Sequence, residues 1–414
     1  MPRWSRPVRL LLDRVRALPG PDVAEARQTL VALALGLSAS LVAGLTLGAI
    51  TGTLERLPGL LVLVPAAIGL RGTIFGALGA RLGTAIHTGT FGLSLRRGTV
   101  LGQNVVAAGI LSLFASVALA VLAKVVSIGF GIERTISVAD FITISVVGGL
   151  LSSAVVLVLT VMLAAGSVRY GWDPDNVTAP LVTAAGDMVT LPSLFLATYI
   201  VGIDLLNAAL AVAAVGAAAA ALVAGLRSRL PTTRQILRES PLFVVAAGVL
   251  SLLAGNTLED RLDALARYPA LLALVPPFLA SAGAIGGILS SRVTSKLHLG
   301  LVEPTPWPGR LVRDDVVLVY TIGPLVFALA SLVADLAAVL VDLPSPGPGA
   351  MIAVALIGGF FATTFAVVVA YATAIISYRL GIDPDNIAIP LVTSSLDLFG
   401  ALSFIVAVVA LGIV

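Results

Sequence analysis

Residues 171–187 read Gly171-Trp-Asp-Pro-Asp-Asn-Val-Thr-Ala-Pro-Leu-Val-Thr-Ala-Ala-Gly-Asp187, and residues 381–397 read Gly381-Ile-Asp-Pro-Asp-Asn-Ile-Ala-Ile-Pro-Leu-Val-Thr-Ser-Ser-Leu-Asp397. Ten of the 17 positions are identical at a fixed offset of 210. Asp-Pro-Asp-Asn is a turn and helix start, because Asp or Asn caps free backbone N–H groups and Pro is tolerated in the first turn. Each motif then runs into an apolar segment of bilayer-crossing length, so the pattern predicts a helix that enters a membrane with a carboxylate along it, built twice. A carboxylate repeated at the same depth of two oily helices points to function before packing, since a buried unpaired charge is costly there.

Composition agrees. Hydrophobic residues make up 58% of the 414 and charged ones 11%, with a mean hydropathy of +1.07, which excludes an ordinary soluble domain. The formal charge of +3 is dispersed over short loops and one amino-terminal segment, so it gives no sign of a nucleic-acid partner. The chain has no cysteine, which rules out disulfides and thiolate metal sites, and two histidines make a conventional zinc site improbable.

Apolar stretches near 29–50, 57–80, 99–126, 138–166, 178–202, 204–226, 240–256, 268–290, 315–341, 350–377 and 388–413 predict eleven transmembrane helices. With the amino terminus in the cytoplasm, the Lys and Arg residues fall inside except Arg56, Lys124, Arg134, Arg261, Arg267 and the intramembrane Arg71. The expected location is the cell membrane, with an external carboxy terminus. Residues 1–28 carry six arginines among Leu10, Leu11, Leu12 and Val15, which reads as a basic amphipathic helix on the membrane surface, with a disordered basic tail as the alternative.

Self-similarity extends further. Val64 through Gly89 aligns without gaps on Val275 through Gly300, pairing Gly72 with Gly283, Arg81 with Arg292 and His87 with His298. Gly148-Gly149 matches Gly358-Gly359, and Arg169 matches Arg379. The expected fold is an all-α integral membrane protein of about 11 helices: a basic segment 1–28, a five-helix repeat 29–202, a linking helix and basic loop 203–239, and a second repeat 240–414. Five helices end on the side opposite their start. The sixth crossing restores the orientation, so the repeats are expected to run parallel about a pseudo-twofold axis along the membrane normal.

Asp187 and Asp397 lie about 12 residues beyond their turns, roughly 18 Å at helical rise. Facing carboxylates would repel unless a cation held them charged, and magnesium suits one or two carboxylates acting through retained waters. Thr183 and Thr393 stand one turn earlier on the same face and are expected to bond the hydration shell. Asp175 and Asp385 in the turns are expected to concentrate cations at the cytoplasmic mouth. The bland alternative is that the intramembrane aspartates only cap or pair within the bundle. Glycines at 69, 72, 76 and 79, and at 283, 286 and 287, predict close helix packing, or else a locally broken helix near Pro65 and Pro276. Lys124 and Asp335 align to within one residue and are expected to form an ion pair between repeats.

At these motifs the chain resembles the membrane domain of the MgtE magnesium-channel family, and especially its duplicated relatives in solute carrier family 41. The resemblance covers both five-helix units. It implies a single-chain pseudo-dimer whose Asp187 and Asp397 hold hydrated magnesium in a pore on the twofold axis, as cargo and not as a resident cofactor. The family commonly has Gly-Asn where this chain has Gly72-Thr73 and Gly283-Ala284. With only about 28 residues before the first span, gating by the cytosolic sensor domains of the bacterial channels is not expected. Divalent-cation transport is therefore the leading expectation, with lipid and the cation as the only partners and no enzymatic activity. The alternatives are a non-transporting membrane scaffold, a carrier of another divalent cation coupled to sodium or protons, and, least supported, an intramembrane aspartyl protease.

Overall fold

The computed structural model describes residues 23–132, 134–170, 174–201, 203–380 and 384–413, without the side chains of 23–35, 174–180, 204, 298, 380 and 384–390. The basic segment before residue 23 therefore lies outside the described residues. Every regular element among those described is helical: α1 (Val23–Ala49), α2 (Thr51–Arg56), α3 (Leu60–His87), α4 (Val100–Gly129), α5 (Val138–Tyr170), α6 (Pro174–Val201), α7 (Asp204–Arg227), α8 (Pro231–Glu259), α9 (Leu262–Leu265), α10 (Pro269–His298), α11 (Arg310–Leu340), α12 (Pro348–Leu380) and α13 (Pro384–Ala410). Ten of these are long and apolar enough to cross a bilayer, and α1 contributes a shorter apolar stretch, Gly36–Ala49, within its described part. The chain is an all-α, multi-pass membrane protein.

The helix starts follow local chemistry. Thr99 caps α4, its hydroxyl accepting from the Gly102 N–H at 3.1 Å. Ser137 and Asp140 form a reciprocal box at the start of α5, with N–H to side-chain distances of 3.1 and 2.8 Å. α6 and α13 both begin at the proline of their Asp-Pro-Asp-Asn turns, where a missing N–H is harmless.

The two repeats are α1, α3, α4, α5, α6 and α8, α10, α11, α12, α13, and even the short α2 and α9 occupy equivalent places. Each first helix packs against the fifth helix of its own repeat and the second helix of the other: α1 on α6 and α10, α8 on α13 and α3. The cross-repeat contacts depend on two equivalent glycines. A Cβ on Gly44 would lie 1.9 Å from the Ala273 carbonyl oxygen, and one on Gly255 would lie 2.3 Å from that of Val62. Backbone meets backbone at both places, which only glycine permits. α7 packs on α4 and α5 of the first repeat and touches α8, with Asn207 Nδ2 donating to Asp140 Oδ1 at 2.5 Å.

Two expectations need correction, and one open alternative is decided. The basic stretch expected as a loop before a span at 240–256 is helical from Pro231, so Arg234 and Arg238 ride on the first turns of α8; Pro231 starts the helix and Pro241 is absorbed within it. α3 and α10 are continuous through Pro65, Pro276 and Pro277, so neither helix is broken there. Gly69, Gly72, Gly76, Gly283 and Gly286 stand in close packing, as the packing alternative predicts, while nothing lies near Gly287. Lys124 and Asp335 do not pair: Lys124 Nζ donates to the carbonyls of Thr135 and Ile136 at 3.2 and 2.8 Å, while Asp335 accepts from Ser345. Each side chain secures the loop that follows its own helix, a local partner reached more easily than one across the bundle.

The repeats differ where α3 and α10 meet the later helices of their units. In the second, Phe278, Phe327 and Phe404 form an aromatic cluster with centroids 4.9 and 5.3 Å apart. In the first, Arg71 is 1% exposed and donates to three serine hydroxyls: Nε to Ser152, Nη1 to Ser112 and Nη2 to Ser116, at 3.1–3.2 Å. At the Arg-rich end of the second unit, buried Asp315 on α11 instead holds Arg292, 2.8 Å away, and Lys296 of α10.

Candidate cation site

Asp187 on α6 and Asp397 on α13 are both half-buried, and each is held by a serine from the first helix of its own repeat. Ser40 Oγ donates to Asp187 Oδ2 at 3.0 Å, and Ser251 Oγ donates to Asp397 Oδ2 at 2.7 Å. Both serines are 1% exposed, so these hydrogen bonds are shielded from competing water. Each bond fixes one carboxylate oxygen. Among the described residues neither carboxylate has a Lys or Arg partner within ion-pair distance.

α3 runs between the two halves of this site. Its Gly69 faces Asp397, where an added Cβ would lie 3.5 Å from Oδ2 and 3.6 Å from Ser251 Oγ. One turn on, Gly72 and Gly76 face Thr183, at 3.3 Å from its methyl and 3.7 Å from its hydroxyl. In the second unit Gly283 of α10 faces the methyl of Thr393 at 3.9 Å. Asp397 and Thr183 thus stand against α3 and Thr393 against α10, while Asp187 is held from α1. The side chains of Asp175 and Asp385 lie outside the described residues.

A small cavity opens beside Asp397 between α3, α8 and α13, lined by Gly69, Thr73, Ser251 and Ser394 together with apolar neighbours. Hydroxyl groups make it a place for water, not hydrocarbon. The equivalent positions of the other half carry Ala284 for Thr73 and Ala184 for Ser394. Among the described residues no group of three or more His, Asp and Glu side chains forms a cage that could strip a metal ion of its water. Two carboxylates flanked by hydroxyls suit a cation that keeps most of its hydration shell.

Ser40 and Ser251 are the site residues that sequence reasoning missed. A signal was present: Ser40-Leu-Val-Ala-Gly44 returns as Ser251-Leu-Leu-Ala-Gly255 at an offset of 211, joining each serine to the close-approach glycine one turn later.

Parallel helical repeats, exchanged first helices and two intramembrane acids, each held by a serine, define a multi-pass membrane protein with polar groups inside its helix bundle. The MgtE family model, described as a divalent cation transporter, matches residues 64–197 and 275–407, once in each repeat. The chain belongs to that family. Among curated proteins it is similar to solute carrier family 41 member 3 of Rattus norvegicus, 30% identical over 162 residues that cover 37% of this chain and 34% of that protein. It is also similar to member 3 of Mus musculus, 24% identical over 366 residues (82% and 73%), and to member 2 of Gallus gallus, 26% identical over 270 residues (61% and 44%). The match thus spans about a third of the rat protein, under half of the chicken protein and nearly three quarters of the mouse one. No solved structure gave a significant match.

Proposed function

We propose that this protein moves hydrated magnesium across the membrane along the pseudo-twofold axis, with Asp187 and Asp397 as the central cation site. The observation that carries the reading is the pair of equivalent carboxylates, each oriented by a buried serine and neither neutralised by a basic side chain among the described residues. Two such charges are mutually repulsive until a divalent cation sits between them. One oxygen of each is occupied by serine, which leaves the other to receive a water of the ion's shell. Thr183 and Thr393 add hydroxyls next to the passing ion, and Asp175 and Asp385 concentrate cations at the cytoplasmic mouth. Magnesium is cargo here and not a resident cofactor. The single chain supplies both halves of the pathway, so no second protein is required. The same reading sets the chain in the cell membrane with its amino terminus inside and its carboxy terminus outside.

The test is dye-reported magnesium flux into proteoliposomes with the intact chain and with Asp187→Asn, Asp397→Asn, under imposed magnesium, sodium and pH gradients. Loss of flux in the correctly folded double variant is expected, and the gradient dependence then separates channel from coupled carrier. Undiminished flux would rule out the aspartate pathway. Absence of flux from the intact chain under every gradient would favour a scaffold in which the serine–aspartate bonds only join helices.

A further inference from the structure

Arg71 takes no part in the cation site described above, yet it is fully buried on the helix that lines that site. Gly69, two residues earlier on α3, faces Asp397, and a step of two residues along a helix turns to nearly the opposite face. Arg71 accordingly points away, past Gly186 of α6, towards serines of α4 and α5. Its partners are all neutral hydroxyls, so its charge is hydrogen-bonded but not cancelled. Packing does not require a cation at this position, because the equivalent residue of the second repeat is Ala282, beside Phe278 and Phe327, and a similar helix layer forms there from hydrocarbon. A Cβ on Gly149 would lie 2.2 Å from Arg71 Nη2, whereas the matching Gly359 makes room for the Phe327 ring at 2.4 Å. The first repeat keeps a costly buried charge where the second shows that none is needed.

We infer that Arg71 is an affinity-setting residue: a fixed positive charge, beyond the far face of the helix that lines the aspartate site, that weakens divalent-cation binding and so speeds release. The inference rests on the aspartate site proposed above. A charge beyond the far side of such a helix, roughly 15 Å from the site at an effective dielectric constant of about 20, changes the affinity for a single charge by about sixfold and for a divalent ion by about fortyfold. It also makes the two halves unequal, because the hydroxyl-lined cavity lies at Asp397 and Arg71 has no counterpart in the second repeat.

The experiment measures magnesium binding by calorimetry on the full chain and concentration-dependent flux in proteoliposomes, both at pH 8. Arg71→Met is expected to lower the half-saturating magnesium concentration about tenfold or more and to lower the maximal rate, while Arg71→Lys stays near the intact chain. Ser116→Asp offers a second route should Arg71→Met fail to fold: it leaves the arginine in place but neutralises it, and is expected to tighten binding in the same way. An unchanged half-saturation in folded Arg71→Met or Ser116→Asp would overturn the inference, as would Arg71→Lys behaving like Arg71→Met. The Asp187→Asn, Asp397→Asn chain is measured alongside. If it binds magnesium normally the aspartate reading fails, whereas lost binding in it with no effect at Arg71 defeats this inference alone.

Discussion

Replacing Gly255 with alanine tests the exchange of first helices between repeats. The added Cβ would sit 2.3 Å from the Val62 carbonyl oxygen and 2.7 Å from that of Leu61. Both obstacles are backbone of α3, so no rotamer change relieves them, and α8 must withdraw from α3 by about 1 Å to reach ordinary contact. Overpacking of this kind costs about 1–3 kcal/mol. The consequence is also functional. Ser251 lies one turn before Gly255 and bonds Asp397 at 2.7 Å, while Gly69 of α3 closes the other side of that carboxylate. A withdrawal of 1 Å stretches this arrangement beyond good hydrogen-bond length. The expected outcome is a thermal midpoint in detergent lowered by several degrees, with magnesium flux reduced more than stability alone accounts for. Gly44→Ala, with its Cβ 1.9 Å from the Ala273 carbonyl, is expected to be at least as harmful. By contrast, Gly36→Ala, where nothing lies within 4 Å, should be neutral and serves as the control. Unchanged stability and flux in both Gly44→Ala and Gly255→Ala would refute the claim that these glycines set the contact between repeats.

Ser40→Ala and Ser251→Ala each remove one charge-assisted hydrogen bond, worth about 1.5–3 kcal/mol; each is expected to raise the half-saturating magnesium concentration about tenfold while leaving the fold intact, and unaltered flux kinetics would show that the serines do not orient the aspartates. Exchanging charges with Lys124→Asp and Asp335→Lys is expected to be no better tolerated than either single substitution, because the two side chains secure separate loops; recovery of stability in the double variant would restore the ion pair between repeats.

How much was legible in advance varied with the range of the interaction. The spans, the duplication, the parallel arrangement and the two intramembrane aspartates follow from patterns local to the chain: bilayer-length apolar runs, a repeated 17-residue motif and an extra crossing that restores orientation. These need no knowledge of neighbours. A helix that tolerates Pro65 or Pro241 differs, since propensity alone suggests a boundary and only packing against other helices keeps it continuous.

Partners across the bundle were not legible. Alignment of Lys124 with Asp335 identifies equivalent positions, and equivalent positions of a twofold arrangement need not touch. Tertiary structure brings Ser40 to Asp187 and Ser251 to Asp397 over separations of 147 and 146 residues. It also decides that Arg71 meets three serines from two helices and no acid. The sequence by itself determined which groups enter the membrane and how often, because transferring a side chain into the bilayer depends on that side chain and its segment. Only the tertiary structure decided which of those groups share a site, because hydrogen bonds and charge interactions depend on distances set by all the helices together.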